Sequence, residues 1–217
     1  MKINYILFLI VILGWLISAC FYTKLPDDVA IRWNIRGEAI AYSSKNFLLL
    51  LFSSLNTILA ILFFIIPKID PLKHNIERFR KYYDNFVLII LLSFLVIFVW
   101  TILWNLGIKL SFNIVLSITL GSMIFYCGVL LENAKRNWFI GIRTPWTLSS
   151  DKVWNKTHKL GAKIFKAIGI LFFFGILIDF VFLLSIILLL FSSVYLVIYS
   201  YLEYRKIEIR KTSGKSL

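Results

Sequence analysis

Four long apolar stretches without a charged side chain constrain this sequence more than any other feature. They cover residues 5–22, 47–66, 86–106 and 112–131. A helix needs about 20 apolar residues to cross the hydrocarbon core of a bilayer, and each stretch is close to that length. The stretches lack the alternation of lipid-facing β-barrel strands, and only helices then satisfy the backbone within lipid. The sequence therefore predicts an all-α, polytopic membrane helix bundle.

A fifth apolar stretch, residues 160–202, is too long for one span, because it would form roughly 60 Å of helix. Asp179 lies near its middle, where a carboxylate costs several kcal/mol at the bilayer centre. A turn at Asp179 removes that cost and predicts two spans, residues 160–178 and 180–202. The chain is thus expected to form one membrane domain, residues 1–217, with about six transmembrane helices.

Lysine and arginine are unevenly divided between the segments that connect these spans. Of the 24, 19 lie at the amino terminus, in residues 67–85 and 132–166, and after the last span. Because these residues accumulate in the cytoplasm, we expect both termini and a loop at 132–163 to be cytoplasmic, and a loop at 23–46 to be extracytoplasmic. Topology and attraction to membrane lipid explain the net charge of +13, and no direct contact with nucleic acid is expected.

The outer loop contains the stretch LPDDVAIRWNIRG, residues 25–37, in which apolar side chains alternate. The alternating apolar positions are Val29, Ile31, Trp33 and Ile35, and the positions between them are Ala30, Arg32, Asn34 and Arg36. This period of two predicts a short half-buried strand that follows Pro26 and ends at Gly37. Two interpretations are open: a small cap on the helix ends, or a surface that contacts a peptide or a phosphate.

The loop at 132–163 contains the stretch NWFIGIRTPWTL, residues 137–148, which we call the signature segment. Gly141 permits an unusual backbone angle, and Pro145 keeps Thr144 out of the helical conformation. Arg143 can stack on an indole or bind a phosphate. It lies among aromatic residues typical of a membrane interface, namely Trp138, Phe139 and Trp146.

A basic amphipathic helix is predicted from about residue 151, after a cap at Ser149 or Ser150. One face carries Lys152, Lys156, Lys159 and Lys163, and another carries Trp154, His158, Ala162 and Phe165. Such a helix suits the cytoplasmic headgroup layer. It would serve either to anchor the topology or to dock a protein partner. No metal site is expected at His158, since no second ligand is near in sequence.

At these residues the chain resembles the SdpI family of bacterial membrane proteins. The resemblance rests on Asn137, Ile140, Gly141, Ile142, Arg143, Thr144, Pro145, Trp146, Thr147 and Leu148, followed by Trp154. The outer loop resembles a small domain of unknown function that often opens these proteins, through Leu25, Pro26, Val29, Ala30, Arg32, Trp33 and Gly37. Ala30 and Arg32 depart from that pattern, which has a proline and a histidine or glutamine at these positions.

The resemblance implies a location in the bacterial cell membrane and immunity to a secreted, membrane-active peptide toxin met on the outer side. It also implies a receptor that holds a small cytoplasmic helix-turn-helix repressor at the membrane. We expect the repressor to be bound by Asn137, Gly141, Arg143, Thr144, Pro145, Trp146, Thr147, Trp154 and His158. Among these, Arg143, Trp146 and Trp154 are expected to form a docking surface, not a helix-packing core. The toxin is expected to face Pro26, Arg32, Trp33 and Gly37.

Two other classes of function compete with immunity. A transporter or exporter is the first alternative, but the spans carry almost no ionisable residue and lack paired helix interruptions by glycine or proline. A membrane enzyme is the second, but no catalytic motif or metal-ligand spacing is present. No enzyme activity, cofactor or metal is therefore expected.

The end of the first apolar stretch, LISAC, resembles a lipoprotein cleavage box that ends at Cys20. Small residues before a cysteine also arise by chance in apolar helices, and one lysine makes a weak amino-terminal region. We expect an uncleaved first helix and an unmodified Cys20.

Overall fold

The computed structural model describes residues 2–34 and 37–213, so Ile35 and Arg36 of the predicted strand lie outside the described residues. The helices are α1 (Lys2–Phe21), α2 (Lys45–Ile69), α3 (Lys73–Glu77), α4 (Arg80–Asn105), α5 (Phe112–Asn133), α6 (Pro145–Ser149), α7 (Asp151–Phe174) and α8 (Asp179–Ser213). The strands are β1 (Asp28–Trp33) and β2 (Ala39–Ser44). The predicted helical membrane bundle is confirmed.

Four helices, α2, α4, α5 and α8, are long and apolar enough to cross a membrane. The apolar part of α1 is shorter, Tyr5–Phe21. The remaining long helix, α7, is polar over its first turns because four lysines lie within residues 151–163. It joins the bundle through one apolar face, on which Val153, Trp154, Ala162, Ile168 and Phe172 are buried.

The predicted turn near Asp179 is present, because α7 ends at Phe174 and α8 begins at Asp179. The amphipathic helix and the fifth span are not separate, however. They form one continuous helix, α7, since residues 151–174 contain no proline and no glycine with a positive φ. Nor does α8 end at residue 202. It continues as a helix to Ser213.

Close backbone approach joins α5 to α7. A Cβ at Gly128 would lie 2.8 Å from the carbonyl oxygen of Ala162, and one at Gly169 would lie 2.5 Å from the backbone nitrogen of Phe125. Gly121 also faces Gly169. Small residues let membrane helices approach in this way. Ser117, one turn before Gly121 on α5, is also fully buried.

The predicted strand is confirmed as β1, where Val29 is fully buried and Arg32 is exposed. It pairs antiparallel with β2, which the sequence analysis missed. The alternation in AIAYSS was the available signal, but its apolar members, Ile40 and Tyr42, are the exposed ones.

The connecting segments gather at two opposite ends of the bundle. One end contains the loop that the sequence predicts to be extracytoplasmic and is called the outer end for that reason; it combines the β-hairpin with the α4–α5 and α7–α8 connections around a shared cavity. The other end, the signature end, combines the α2–α4 and α5–α7 connections with the last turns of α8, which hydrogen bonds link. This division matches the one predicted from the lysines and arginines.

Candidate functional site

Asn137 fixes the beginning of the signature segment. Its side chain is fully buried. The side-chain oxygen accepts hydrogen bonds from the backbone nitrogens of Phe139 and Ile140 at 3.0 and 2.6 Å. The side-chain nitrogen donates to the carbonyl oxygens of Lys135 and Ile140 at 2.8 and 3.0 Å. An aspartate side chain could accept the first two bonds, but it has no N–H to donate to the two carbonyl oxygens. This tight turn therefore requires an amide side chain.

Gly141 and His158 form the centre of the segment. Gly141 has a φ of +112°, and a Cβ there would collide with Nε2 of His158. Nε2 accepts a hydrogen bond from the backbone nitrogen of Ile142 at 3.1 Å. The proton must therefore be on Nδ1, which donates to the carbonyl oxygen of Trp154 at 2.9 Å. The histidine is neutral and both ring nitrogens are satisfied.

The environment of His158 keeps it neutral. Burial lowers the pKa of His158 to about 4, although its hydrogen bond to the Trp154 carbonyl acts in the opposite direction. Its ring stacks on Trp154 with 3.9 Å between ring centroids. The indole nitrogen of Trp154 donates to the carbonyl oxygen of Ala134 at 2.9 Å. These contacts join α7 to both sides of the signature segment.

Thr144 and Thr147 start α6 and attach it to α8. The Thr144 side chain accepts from the backbone nitrogen of Thr147, and the Thr147 side chain accepts from that of Thr144, which is a capping box. Pro145 occupies the first helical position, where its missing donor costs nothing. The Thr144 hydroxyl is 2.9 Å from that of Ser200, and Trp146 packs on Tyr201 with 5.0 Å between ring centroids.

A part of the segment remains accessible. Arg143 is exposed, and its guanidinium donates to the carbonyl oxygen of Trp138 at 2.7 Å. Trp138 is 51% exposed and Phe139 37%. Trp146 is half-buried, and Pro145 is exposed. These five side chains, Trp138, Phe139, Arg143, Pro145 and Trp146, are called the signature surface below.

The expectation that Trp154 belongs to an exposed docking surface is wrong. Trp154 is 1% exposed and His158 2%, because both lie on the face of α7 that packs under the segment. Three other residues of the expected partner-binding set, Asn137, Thr144 and Thr147, are also buried. The five buried side chains Asn137, Thr144, Thr147, Trp154 and His158 support the signature surface from beneath and are not accessible to a partner.

Asp70 was missed by sequence reasoning. Its carboxylate is buried, accepts from the backbone nitrogen of Leu72 at 2.6 Å, and accepts from that of Trp138 at 2.9 Å. Asn75 of α3 adds a hydrogen bond to the carbonyl oxygen of Arg136 at 2.8 Å. The segment is therefore tied to the α2–α4 connection. An aspartate directly before Pro71, at the start of a mainly basic connection, was the available signal.

At the outer end, Trp33 packs against aromatic side chains of the helices. Its ring centroid is 4.6 Å from that of Trp100, 5.4 Å from that of Trp104 and 6.0 Å from that of Phe112. The amide side chain of Asn105 bonds both the nitrogen and the oxygen of Ala30, at 2.7 and 3.1 Å. The hairpin is thus a cap fixed to α4, which is one of the two interpretations left open.

The four residues expected to face a toxin differ in accessibility. Pro26 and Arg32 are exposed, whereas Trp33 and Gly37 are half-buried. Gly37 has a φ of +76°, which glycine adopts without strain. The exposed face of β2 adds Ile40 and Tyr42 to the accessible surface, 56% and 61% exposed.

A polar cavity of about 410 Å³ opens beside the hairpin, and the sequence analysis did not predict it. Its lining includes Gly37, Trp104, Lys109, Ser111, Asn113 and Asp179. The Lys109 ammonium lies 3.0 Å from the Trp104 ring centroid and donates to the Trp104 carbonyl oxygen at 3.1 Å. Elsewhere in the lining, Asp179 accepts from the Asn113 side chain at 2.6 Å. A cation and an anion thus line one cavity.

Among the described residues, no group of three or more histidine, cysteine, aspartate or glutamate side chains is placed to hold a metal ion. Cys20 and Cys127 are both free.

Comparison with known proteins agrees with the two segments singled out in the sequence. Residues 133–201 match the SdpI/YfhL protein family, and residues 9–57 match a domain of unknown function, DUF1648. The chain is 26% identical over 212 residues to a protein named Immunity protein SdpI, from Bacillus subtilis (strain 168). That alignment covers 95% of this chain and 98% of the relative. No solved structure matches the chain significantly. Both characteristic segments match family models, and a relative named for the SdpI family aligns over nearly its whole length, so the chain is similar to SdpI proteins from end to end.

Proposed function

We propose that this chain is an immunity protein that protects the producing cell from a secreted, membrane-active peptide toxin. The observation that carries the proposal is the alignment with a relative named for immunity, which extends over 95% of this chain. It includes the hairpin, the signature segment and every long helix, so the resemblance is not confined to one motif.

The outer end offers the surface for a peptide that reaches the membrane from outside. Arg32, Ile40 and Tyr42 present a cation and two apolar side chains beside the helix ends. A membrane-active peptide carries apolar side chains of its own, which can pack on Ile40 and Tyr42. The cavity between Lys109 and Asp179 adds groups of opposite charge that can bind the polar end of such a peptide.

Trp33 and Gly37 support that surface from beneath. Trp33 packs between the hairpin and the aromatic side chains of α4 and α5, and Gly37 lines the cavity. We therefore expect Trp33→Ala to disturb the shape of the outer end, whereas Arg32→Ala removes an exposed contact without disturbing the packing.

At the signature end we propose that the signature surface recruits a small cytoplasmic helix-turn-helix repressor. Tryptophan and arginine dominate many protein interfaces, and here Trp138, Arg143 and Trp146 are held by hydrogen bonds to the backbone or by ring packing. A loop held in this way loses little conformational freedom on binding. The buried residues Asn137 and His158 contribute by fixing the loop.

The test of immunity uses a toxin-sensitive strain that expresses this chain. Survival after addition of the purified toxin peptide is expected to rise with the wild type and to fall again with Arg32→Ala. Asp28→Asn is the control, because Asp28 is an exposed charge on the same strand. Unchanged sensitivity in cells with normal amounts of wild-type protein would contradict immunity and favour another function, such as transport.

The test of recruitment follows membrane localisation of a tagged repressor in the same cells. Arg143→Lys and Trp146→Ala are expected to abolish recruitment and to leave survival intact, since lysine cannot reproduce the planar guanidinium. Lys152→Gln is the control for loss of a nearby charge. Parallel loss of survival and recruitment in the Arg143 and Arg32 variants would indicate one coupled site instead of two.

A further inference from the structure

A basic groove lies between α7 and α8 at the signature end. Its lining consists of Lys156, Lys159, Leu160, Lys163 and Tyr199, and its volume is about 230 Å³. The three lysines belong to the basic stripe of α7, and Tyr199 belongs to the facing side of α8. The stripe is therefore not spread uniformly over a solvated surface. Three of its four lysines border one concavity.

Charge in this groove is only partly neutralised. Glu203 pairs with Lys156 and also with Lys206, at 2.5 and 2.8 Å. Within the described residues, no carboxylate oxygen lies within 4 Å of the Nζ of Lys159 or Lys163. These two lysines are one helical turn apart, a spacing at which like charges destabilise a helix. An anion bound between them would relieve that repulsion.

An apolar row continues from the groove along α8 towards the outer end. Tyr195 lies one turn from Tyr199, with 6.2 Å between ring centroids. Phe191 and Leu188 follow at the same helical spacing, and all three side chains are exposed, at 51%, 71% and 39%. A basic groove that continues into an apolar row fits a ligand that combines a phosphate with a long hydrocarbon chain.

We propose that this groove binds one anionic phospholipid. Its phosphate lies between Lys159 and Lys163, and one acyl chain follows Tyr195 and Phe191. Basic pockets between transmembrane helices bind anionic headgroups in this manner, and lysine stems reach the headgroup layer. The apolar row selects a lipid over a free phosphate, which would gain nothing from it. This site is distinct from both surfaces assigned to immunity and recruitment.

The lipid would also affect the signature end. Ser200 and Tyr201 follow Tyr199 directly, and they contact Thr144 and Trp146 of the signature segment. A phospholipid in the groove would bridge α7 and α8 beside these contacts. Its binding is therefore expected to raise the thermal stability of the whole bundle.

The test uses the purified full chain in a neutral detergent, titrated with dioleoylphosphatidylglycerol and followed by native mass spectrometry and thermal unfolding. The wild type should bind one molecule and show a higher Tm. Lys159→Gln combined with Lys163→Gln should weaken binding about 30-fold, from loss of two lysine–lipid interactions. Its Tm without lipid should stay at or above that of the wild type, because the repulsion between the two lysines is removed.

Two further arms identify the ligand and locate the site. Lys135→Gln combined with Lys152→Gln removes the same charge outside the groove and should retain binding. Dioleoylphosphatidylcholine and inorganic phosphate should not raise the Tm. Equal loss of binding in the two double variants would overturn the proposal in favour of diffuse attraction. Equal stabilisation by inorganic phosphate would overturn it in favour of a simple anion site.

Discussion

His158 is the residue on which the geometry of the signature segment depends most directly. It accepts from one side of the segment, at Ile142, and donates to its own helix at Trp154. Protonation of Nε2 would turn the acceptor into a second donor facing the Ile142 N–H. The segment is therefore stable only while this buried imidazole stays neutral.

A dependence of stability on pH follows. The folded-state pKa of about 4 lies below the unfolded value of 6.5, so the unfolded chain binds more protons between these values. Stability contributed by His158 is full above pH 6.5 and is lost as pH falls towards 4. Between pH 7 and 5 the loss is about 2 kcal/mol.

Thermal unfolding of the purified protein at a series of pH values tests this expectation. The wild type should lose stability between about pH 7 and 5, and His158→Gln should start lower and change much less over the same range. An identical pH profile for both proteins would show that other groups, such as carboxylates, control the acid response.

Gly141 can be tested against a second glycine with a positive φ. Gly107 has a φ of +96° and no neighbouring atom within 4 Å of the position that a Cβ would take, whereas a Cβ at Gly141 would collide with His158. Gly107→Ala should therefore cost only backbone strain, about 1–3 kcal/mol. Gly141→Ala should cost clearly more and displace the histidine. Equal losses of unfolding free energy in detergent would mean that the close approach to His158 is unimportant.

Residue identity alone predicted part of this geometry. The unusual angle at Gly141 and the non-helical conformation of Thr144 before Pro145 follow from local sterics. The burial of Trp154 and His158 could not be predicted from local sterics. An amphipathic helix with one charged and one apolar face fits a headgroup layer as well as a packed bundle. Whether the helix lies in the headgroup layer or in the bundle depends on its packing against α5 and α8, and residues of these helices are distant from it in sequence.

At the scale of elements, the pair α5–α7 is the closest packed, and it explains why α7 is continuous. The glycines at 128 and 169 let the two helices approach along their length. The polar first turns of α7 then lie against protein, where His158 and Thr157 are buried, instead of in lipid. Hydropathy locates apolar stretches well, but it places the start of such a helix too late.

Gly128→Ala is expected to destabilise the bundle, because its Cβ would lie 2.8 Å from backbone atoms of α7. Overpacking of this kind costs about 1–3 kcal/mol. Gly14→Ala is the matched control, since its Cβ would have a single neighbour at 4.0 Å, the Asn56 side chain. The control should unfold like the wild type in detergent. If Gly128→Ala does so too, the two helices have room to separate and the packing argument fails.

The whole molecule has two ends with different chemistry. The outer end has an aromatic cluster and a cavity lined by Lys109 and Asp179, whereas the signature end has the ordered segment and most of the basic residues. The division into two ends was predictable, because alternate connections of a helix bundle must lie on opposite sides. The cavity could not be predicted from the sequence, since Gly37, Lys109 and Asp179 come together only through the fold.

The orientation of these ends in the membrane is the last prediction. Nineteen of 24 lysines and arginines lie in the sequence segments that are predicted to be cytoplasmic, which include both connections of the signature end, and positively charged segments stay in the cytoplasm during insertion. Single cysteines placed at Asp28 and at Lys152, both exposed, should therefore be labelled from opposite sides by a membrane-impermeant thiol reagent in a variant without Cys20 and Cys127. Intact cells should label position 28, and inverted vesicles should label position 152. Labelling of both positions in intact cells would contradict the bundle's two-ended arrangement in the membrane. The reverse pattern would keep the fold but would place the signature surface outside, where a cytoplasmic repressor cannot reach it.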